Sequence, residues 1–211
     1  MNKLVLASSN RGKLAEIQQV LAGSGFTLVN QGELGVHDAI EDGKTFVENA
    51  LIKARHACAS TGLPALADDS GLIVDALGGA PGLISAHYAG VHGDSAANIN
   101  KLLEALAGVP EEKRTARFHC TIVLLRHADD PQPLIAEGIW EGRVLDAARG
   151  SDGFGYDPVF YDPALAAGAA ELPPEIKNRV SHRGQALARL REQLPHWIHP
   201  GRSGFSRDRQ C

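Results

Sequence analysis

The sequence predicts a mixed α/β fold, and three observations carry that prediction. Short apolar runs of the kind that make buried strands occur at residues 4–7 and 65–67. Segments with apolar residues at helical spacing follow them, with recognisable start and stop residues. Residues 115–126 and 134–144 then read as two paired strands. At 211 residues the chain is long enough for a sizeable core. No clean linker divides it, so one elongated two-lobed domain is expected over residues 1–195, followed by a weakly structured tail at 196–211.

Each element has a local reason. Leu4, Val5, Leu6 and Ala7 form the first strand. After SSNRGK a helix carries Leu14, Ile17, Val20 and Leu21 on one face and closes at Gly23. Thr45 with Glu48 makes a capping box for a second helix, which Gly62 and Pro64 stop. Strands are expected on either side of Asp68 and Asp69, at 65–67 and 72–75, and then the loop GGAPG at 78–82. Ser95 is expected to cap a third helix with Ile99, Leu102, Leu103 and Leu106, and Gly108 lies past its end. The DDP at 129–131 suits a hairpin connection, and the glycine-rich GSDGFGYDP a loop. A final helix starts near Ser181 with Ala186, Leu187, Leu190 and Leu194 inward.

Composition excludes several classes of function. A formal net charge of −4 and the absence of any Lys/Arg run give no footprint for nucleic acid. The three cysteines are far apart and form no CxxC, which suggests a reducing cytoplasm and no structural zinc. No apolar stretch approaches membrane-spanning length, and MNKLVLASSN turns polar too soon for a signal peptide. A cytoplasmic protein with no membrane partner is therefore expected. Neither HExxH nor G-x-S-x-G occurs.

Candidate chemistry sits at the element ends. In ALADDSGLIV two like charges stand side by side between apolar runs. Asp-Ser-Gly is ordinary turn chemistry, while a divalent cation would convert the repulsion into attraction; both readings stand on the segment alone. ASSNRGK between strand and helix offers Ser8, Ser9 and Asn10 as donors and Lys13 as a charge, either for a phosphate or as a polar helix cap. A Walker A loop is excluded, because Ala7 and Leu14 occupy positions that the motif reserves for Gly and Ser/Thr. Glu41 and Asp42 precede Gly43 as an acidic turn or as cation ligands. Lys53 follows Phe46 and Ala50 at helical spacing, so it either turns inward or snorkels.

Taken together, SSNRGK, EDGKTFVENALIKA at 41–54, ADDSGL at 67–72, GGAPG, FGYDP at 154–158, Lys177 and SHRGQAL at 181–187 occur in one order. The chain closely resembles the inosine/xanthosine triphosphate pyrophosphatase family over about residues 2–194. The resemblance implies a mixed central sheet with flanking helices, two lobes around a nucleotide cleft, and a homodimer. It implies Mg²⁺-assisted hydrolysis of ITP, dITP and XTP to the monophosphate and pyrophosphate, which cleanses the nucleotide pool. Carried over by residue, Ser8, Ser9, Asn10, Arg11, Gly12 and Lys13 are the triphosphate cradle, with Lys53 a second cation. Glu41, Asp68 and Asp69 are metal carboxylates, and Asp69 is also the group that orients or deprotonates water. Ser70, Phe154, Gly155, Tyr156, Asp157, Lys177, His182 and Arg183 form the nucleoside pocket.

The physics agrees with these implications. A triphosphate needs balancing positive charge, and side chains alternate along an extended strand, so Asp68 and Asp69 cannot serve one purpose from one face. Arg183 can only donate hydrogen bonds, which suits a 6-keto purine and not the 6-amino group of adenine. The family pattern SAR after APG is Ser85-Ala86-His87 here, which removes a fixed charge at 87. A pyrophosphatase for modified pyrimidine or methylated guanine nucleotides is expected to lack the SHRG and FGYD segments. A non-hydrolysing nucleotide sensor has no need of the intact carboxylate set.

Overall fold

The structure is a computed structural model that describes residues 2–8, 17–18, 21–150 and 152–198. Its seven strands are β1 (Asn2–Leu6), β2 (Phe26–Asn30), β3 (Ala65–Val74), β4 (Thr115–Leu125), β5 (Leu134–Val144), β6 (Phe160–Asp162) and β7 (Ala167–Gly168). They form one sheet in the order β2-β1-β3-β4-β5-β6-β7. β1 runs parallel to β2 and β3, and every pairing from β3 onward is antiparallel, so the sheet is mixed. The helices are α1 (Phe46–Thr61), α2 (Ser95–Ala105), α3 (Pro174–Val180) and α4 (His182–Ile198). None is long and apolar enough to cross a membrane.

The long strands β3, β4 and β5 belong to both lobes. Toward one end, Leu66, Ile122, Leu124 and Leu134 pack under Leu187, Leu190 and Leu194 of α4. On the opposite face, Ala50, Ala54 and Ala57 of α1 lie on Val5, Ala65, Ala67 and Val123; the small side chains let helix and sheet approach closely. Toward the other end, Leu72, Phe118 and Trp140 join Leu102, Leu106 and Phe160 in a separate cluster.

Two local devices fix the helices that carry the site. Thr45 Oγ1 accepts from Glu48 N at 3.3 Å, and Glu48 Oε2 accepts from Lys44 N at 2.8 Å and from Thr45 Oγ1 at 2.9 Å. Ser181 Oγ likewise accepts from Gly184 N at 3.1 Å to start α4. A Cβ on Gly138 of β5 would run into the His182 carbonyl and Ala186 N, so the first turn of α4 sits directly on the sheet. β5 pairs with β6 only at Arg143 and Val144. Its carbonyls at Glu137 and Ile139 accept instead from Arg189 and Gln185 of α4, which blunts an exposed edge.

The structure corrects several expectations. β3 is one continuous strand, not two flanking a turn, because its ladder with β4 runs unbroken through Asp68↔Ile122 and Asp69↔Thr121. The cap of α2 is Asp94, whose Oδ1 accepts from Ala97 N at 3.0 Å; Ser95 is its first helical residue. α4 continues through Pro195 to Ile198, so the tail does not begin at 195 or 196: Leu194 and Trp197 are buried together in the core. β2, β6, β7 and α3 lack a clear sequence signal. Of the helix expected after SSNRGK, Ile17 and Leu21 are buried, while Leu14 and Val20 lie outside the described residues.

Candidate functional site

Strand alternation separates the two adjacent aspartates. Asp69 lies on the face of β3 that carries Ala65 and Ala67 under α1, and Asp68 on the face that carries Leu66 under α4. Lys53, on α1, donates from Nζ to Asp69 Oδ1 at 2.9 Å and lies 3.0 Å from Glu41 Oε2. Both Lys53 and Asp69 are nearly covered, with side chains 15% and 13% exposed, so their charges are poorly screened. Burial works against the charge on Lys53, but Asp69, Asp68 and Glu41 outweigh it and raise its pKa. Burial also raises the pKa of Asp69 against the pull of Lys53, and the charges of Glu41 and Asp68 add to the rise.

The segment bearing Glu41 is pinned at both ends. Gln31 Nε2 donates to Asp38 Oδ1 at 2.5 Å, and Gly43 N donates to the buried Asn49 Oδ1 at 2.9 Å. Among the described residues no group of three His, Cys, Asp or Glu side chains already converges as a metal cage. Asp69 Oδ2 is nevertheless buried and, among the described residues, has no hydrogen-bond partner. A carboxylate oxygen left in that state fits a hard cation with its water shell.

The other half of the site is built by α3, the start of α4 and the 152–158 loop. Asp157 Oδ2 accepts from Phe154 N at 2.7 Å and from Lys177 Nζ at 2.6 Å, which fixes the loop against α3. Phe154 is 59% exposed, an unusual state for a large apolar ring. Lys177 Nζ and the Arg183 guanidinium stand 5.7 Å and 5.5 Å from its centroid, a cation–π arrangement around an open aromatic face. His182 stacks on Phe118, with centroids 4.8 Å apart and planes 13° from parallel. Arg183 is buried, with Nε 4.0 Å from Asp68 Oδ2.

These groups line one cleft of about 1500 Å³. Ser8, Glu41, Lys53, Asp68, Asp69 and Ser70 line its carboxylate side; Phe154, Gly155, Tyr156, Asp157, Lys177, His182 and Arg183 line the other. Ser9, Asn10, Arg11, Gly12 and Lys13 lie outside the described residues. Tyr156 has a packing role: its ring is buried and its hydroxyl donates to the Ser85 carbonyl at 2.9 Å. His87, in the expected arginine position, also lines the cleft and faces His92 with ring centroids 6.5 Å apart.

Sequence reasoning missed two supports. Ser85 is buried; it accepts from Leu72 N at 2.9 Å, donates to the Gly82 carbonyl at 2.6 Å, and packs where Gly71 leaves no room for a Cβ. His119, Thr121 and Glu137 form a polar row beside Asp69. Thr121, the register partner of Asp69, donates to Glu137 Oε1 at 3.1 Å. His119 stacks on Phe46, and burial lowers its pKa despite Glu137. A strand residue opposite an aspartate is a signal that only the register exposes.

A Ham1 family model matches residues 4–193 of this sequence. This chain belongs to the Ham1 family. It is 62% identical over 194 residues to a dITP/XTP pyrophosphatase of Xylella fastidiosa, which covers 92% of this chain and 98% of that protein. It is 55% identical over 190 residues to a dITP/XTP pyrophosphatase of Vibrio cholerae, covering 90% and 95% of the two chains. A solved Ham1 protein from Coxiella burnetii superposes with a TM-score of 0.89 at 52% identity, covering 93% of this chain and 100% of that one. The family match thus spans the mixed sheet and both sides of the cleft.

Proposed function

We propose that this chain hydrolyses non-standard purine nucleoside triphosphates (ITP, dITP and XTP) to the monophosphate and pyrophosphate, with Mg²⁺. The observation that carries the reading is a single cleft with Lys53, Asp69 and Glu41 on one side and the open Phe154 ring, flanked by Lys177 and Arg183, on the other. The likeness to dITP/XTP pyrophosphatases supports it.

In this reading the base stacks on Phe154, and Arg183 and His182 donate toward a 6-keto oxygen. Lys53 and the SSNRGK segment, including Lys13, neutralise the triphosphate. Asp69 holds the attacking water and accepts its proton as oxygen bonds to the α-phosphorus and the α–β anhydride breaks, releasing pyrophosphate. Glu41 and Asp69 would hold Mg²⁺, which would offset phosphate charge and polarise the reacting phosphoryl group, while Asp68, on the other face of β3, faces Arg183. The acting unit is a single two-lobed domain that continues through Ile198, working as a cytoplasmic homodimer.

Pyrophosphate release from ITP and from ATP, each with and without Mg²⁺, tests the reading. Fast Mg²⁺-dependent release from ITP alone is expected. Equal rates on ITP and ATP would overturn the base assignment, and no release from any purine triphosphate would overturn the activity.

A further inference from the structure

Three cations of the cleft each face a carboxylate. Lys53 pairs with Asp69 and Glu41, Lys177 pairs with Asp157, and Arg183 faces Asp68 across 4.0 Å. The last pairing spans the two halves of the site. Asp68 sits in the middle of β3 with its side chain 2% exposed, and Arg183 sits on the first turn of α4 at 9%. Ser70 Oγ, two residues along the same strand face, lies 3.5 Å from the same Asp68 Oδ2. On its other side the Arg183 guanidinium stands over the Phe154 ring. The absence of a side chain at Gly138 lets the start of α4 lie directly on β5.

We propose that Asp68 is a positioning residue for base selection: it anchors the Arg183 guanidinium over Phe154, so that base reading depends on the strand that also carries Asp69. This rests on the reading of the cleft as a purine nucleoside triphosphate site. Two opposite buried charges 4.0 Å apart attract in a low-dielectric setting, and removing one leaves the other uncompensated. An arginine has several staggered rotamers, and only a fixed guanidinium discriminates a 6-keto oxygen from a 6-amino group. Adjacent aspartates then divide the labour by strand alternation, Asp69 toward the phosphates and Asp68 toward the base. Without the Asp68 charge the guanidinium is free to leave its place, and selectivity falls even where the phosphate chemistry survives.

The test compares kcat and KM on ITP and ATP for wild type, Asp68→Asn, Arg183→Lys and the double variant. Affinities for IMP and AMP, measured by calorimetry without metal, give a readout that is independent of turnover. Asp68→Asn is expected to lower the ITP/ATP selectivity by on the order of 10-fold, with a matching fall in the IMP/AMP preference. Arg183→Lys is expected to do the same, and the double variant to add little, because both changes remove one arrangement. Removing one charge from a buried pair endangers folding, so Asp68→Glu is made alongside; it keeps the charge, and an intermediate selectivity is expected. Unchanged selectivity and IMP/AMP preference in folded Asp68→Asn, or in Asp68→Glu if the first does not fold, would overturn the inference. A wild-type protein inert toward ITP would instead remove the functional reading beneath it.

Discussion

Lys53 Nζ stands 2.9 Å from Asp69 Oδ1; while Asp68 turns to the other face of β3 toward Arg183, this contact answers the Asp69 charge on the face under α1. An unpaired carboxylate on that half-buried face would be costly, and Lys53 reaches it from three turns of α1 that are otherwise alanine-rich against the sheet. Glu41 then approaches the same ammonium from its pinned loop, and the cation between the two carboxylates offsets their repulsion.

Replacing Asp69 separates charge from shape. Asp69→Asn preserves size but removes the charge and the proton-accepting oxygen, so turnover on ITP is expected to fall by roughly 10²-fold or more. KM is expected to change less, since Lys53 and the SSNRGK segment remain. Steady-state pyrophosphate release measures both, and a variant with near-normal turnover would remove Asp69 from the chemistry.

Lys53→Met keeps much of the apolar stem and deletes the charge. Glu41 and Asp69 then repel across the gap, and the triphosphate loses one neutralising group. KM for ITP is expected to rise by about 10-fold or more and turnover to fall with it, while Lys53→Arg recovers part of both. If only thermal stability changed and both kinetic parameters held, Lys53 would be a structural ion-pair partner alone.

Much of this was legible in the sequence, and the rest was hidden for physical reasons. The Thr45 and Ser181 caps, the β4–β5 pairing and the one-face spacing of Lys53 with Phe46 and Ala50 are local, so short-range rules reach them. The unbroken course of β3 is not local: Asp68-Asp69-Ser70-Gly71 reads as a turn, and only the ladder to β4 overrides that preference. β2 lacks clean alternation because only part of it is covered, and the two-residue β7 is too short to carry any pattern. Which cation meets which aspartate follows from strand parity, but that Arg183 is the group facing Asp68 needs α4 to be packed on β5.

Asp130 gives a pH signature away from the cleft. This buried carboxylate closes the β4–β5 hairpin: Oδ2 accepts from Arg126 N at 2.9 Å and Oδ1 from Gln132 N at 3.0 Å, with the Arg126 guanidinium 3.2 Å away. Burial alone would raise its pKa, but the backbone donors of Arg126 and Gln132 and the charge of Arg126 together lower it from 3.8. A carboxylate lowered on folding contributes stability above its unfolded pKa, and loses it as pH falls through the folded value. Asp130→Asn is therefore expected to lower stability by about 1–3 kcal/mol at neutral pH. Denaturation followed from about pH 7 to about pH 3 is expected to show the gap to wild type closing on the acid side. A gap constant across that range would mean that shape, and not charge, holds the turn.

The same arginine ties the chain's last described turn to the sheet. Arg126 Nη2 donates to the Trp197 carbonyl at 3.2 Å, its guanidinium lies 4.8 Å from the indole centroid, and the Phe26 ring of β2 lies 6.0 Å from it at a tilt of 51°. The helix runs through Pro195 although the missing N–H of that residue favours an earlier stop, and Trp197 is buried just beyond it. Trp197→Ala is expected to destabilise by about 3 kcal/mol, since it removes a large buried ring and leaves a cavity that the sheet edge cannot fill. A chain ending after Pro195 is expected to lose a similar amount. Activity on ITP per folded molecule is expected to stay within about twofold of wild type, because a lesion remote from the cleft leaves the cleft geometry intact. Chemical denaturation at matched protein concentration reads the loss directly. A Trp197→Ala midpoint equal to wild type would show that the segment beyond Pro195 adds nothing to the core.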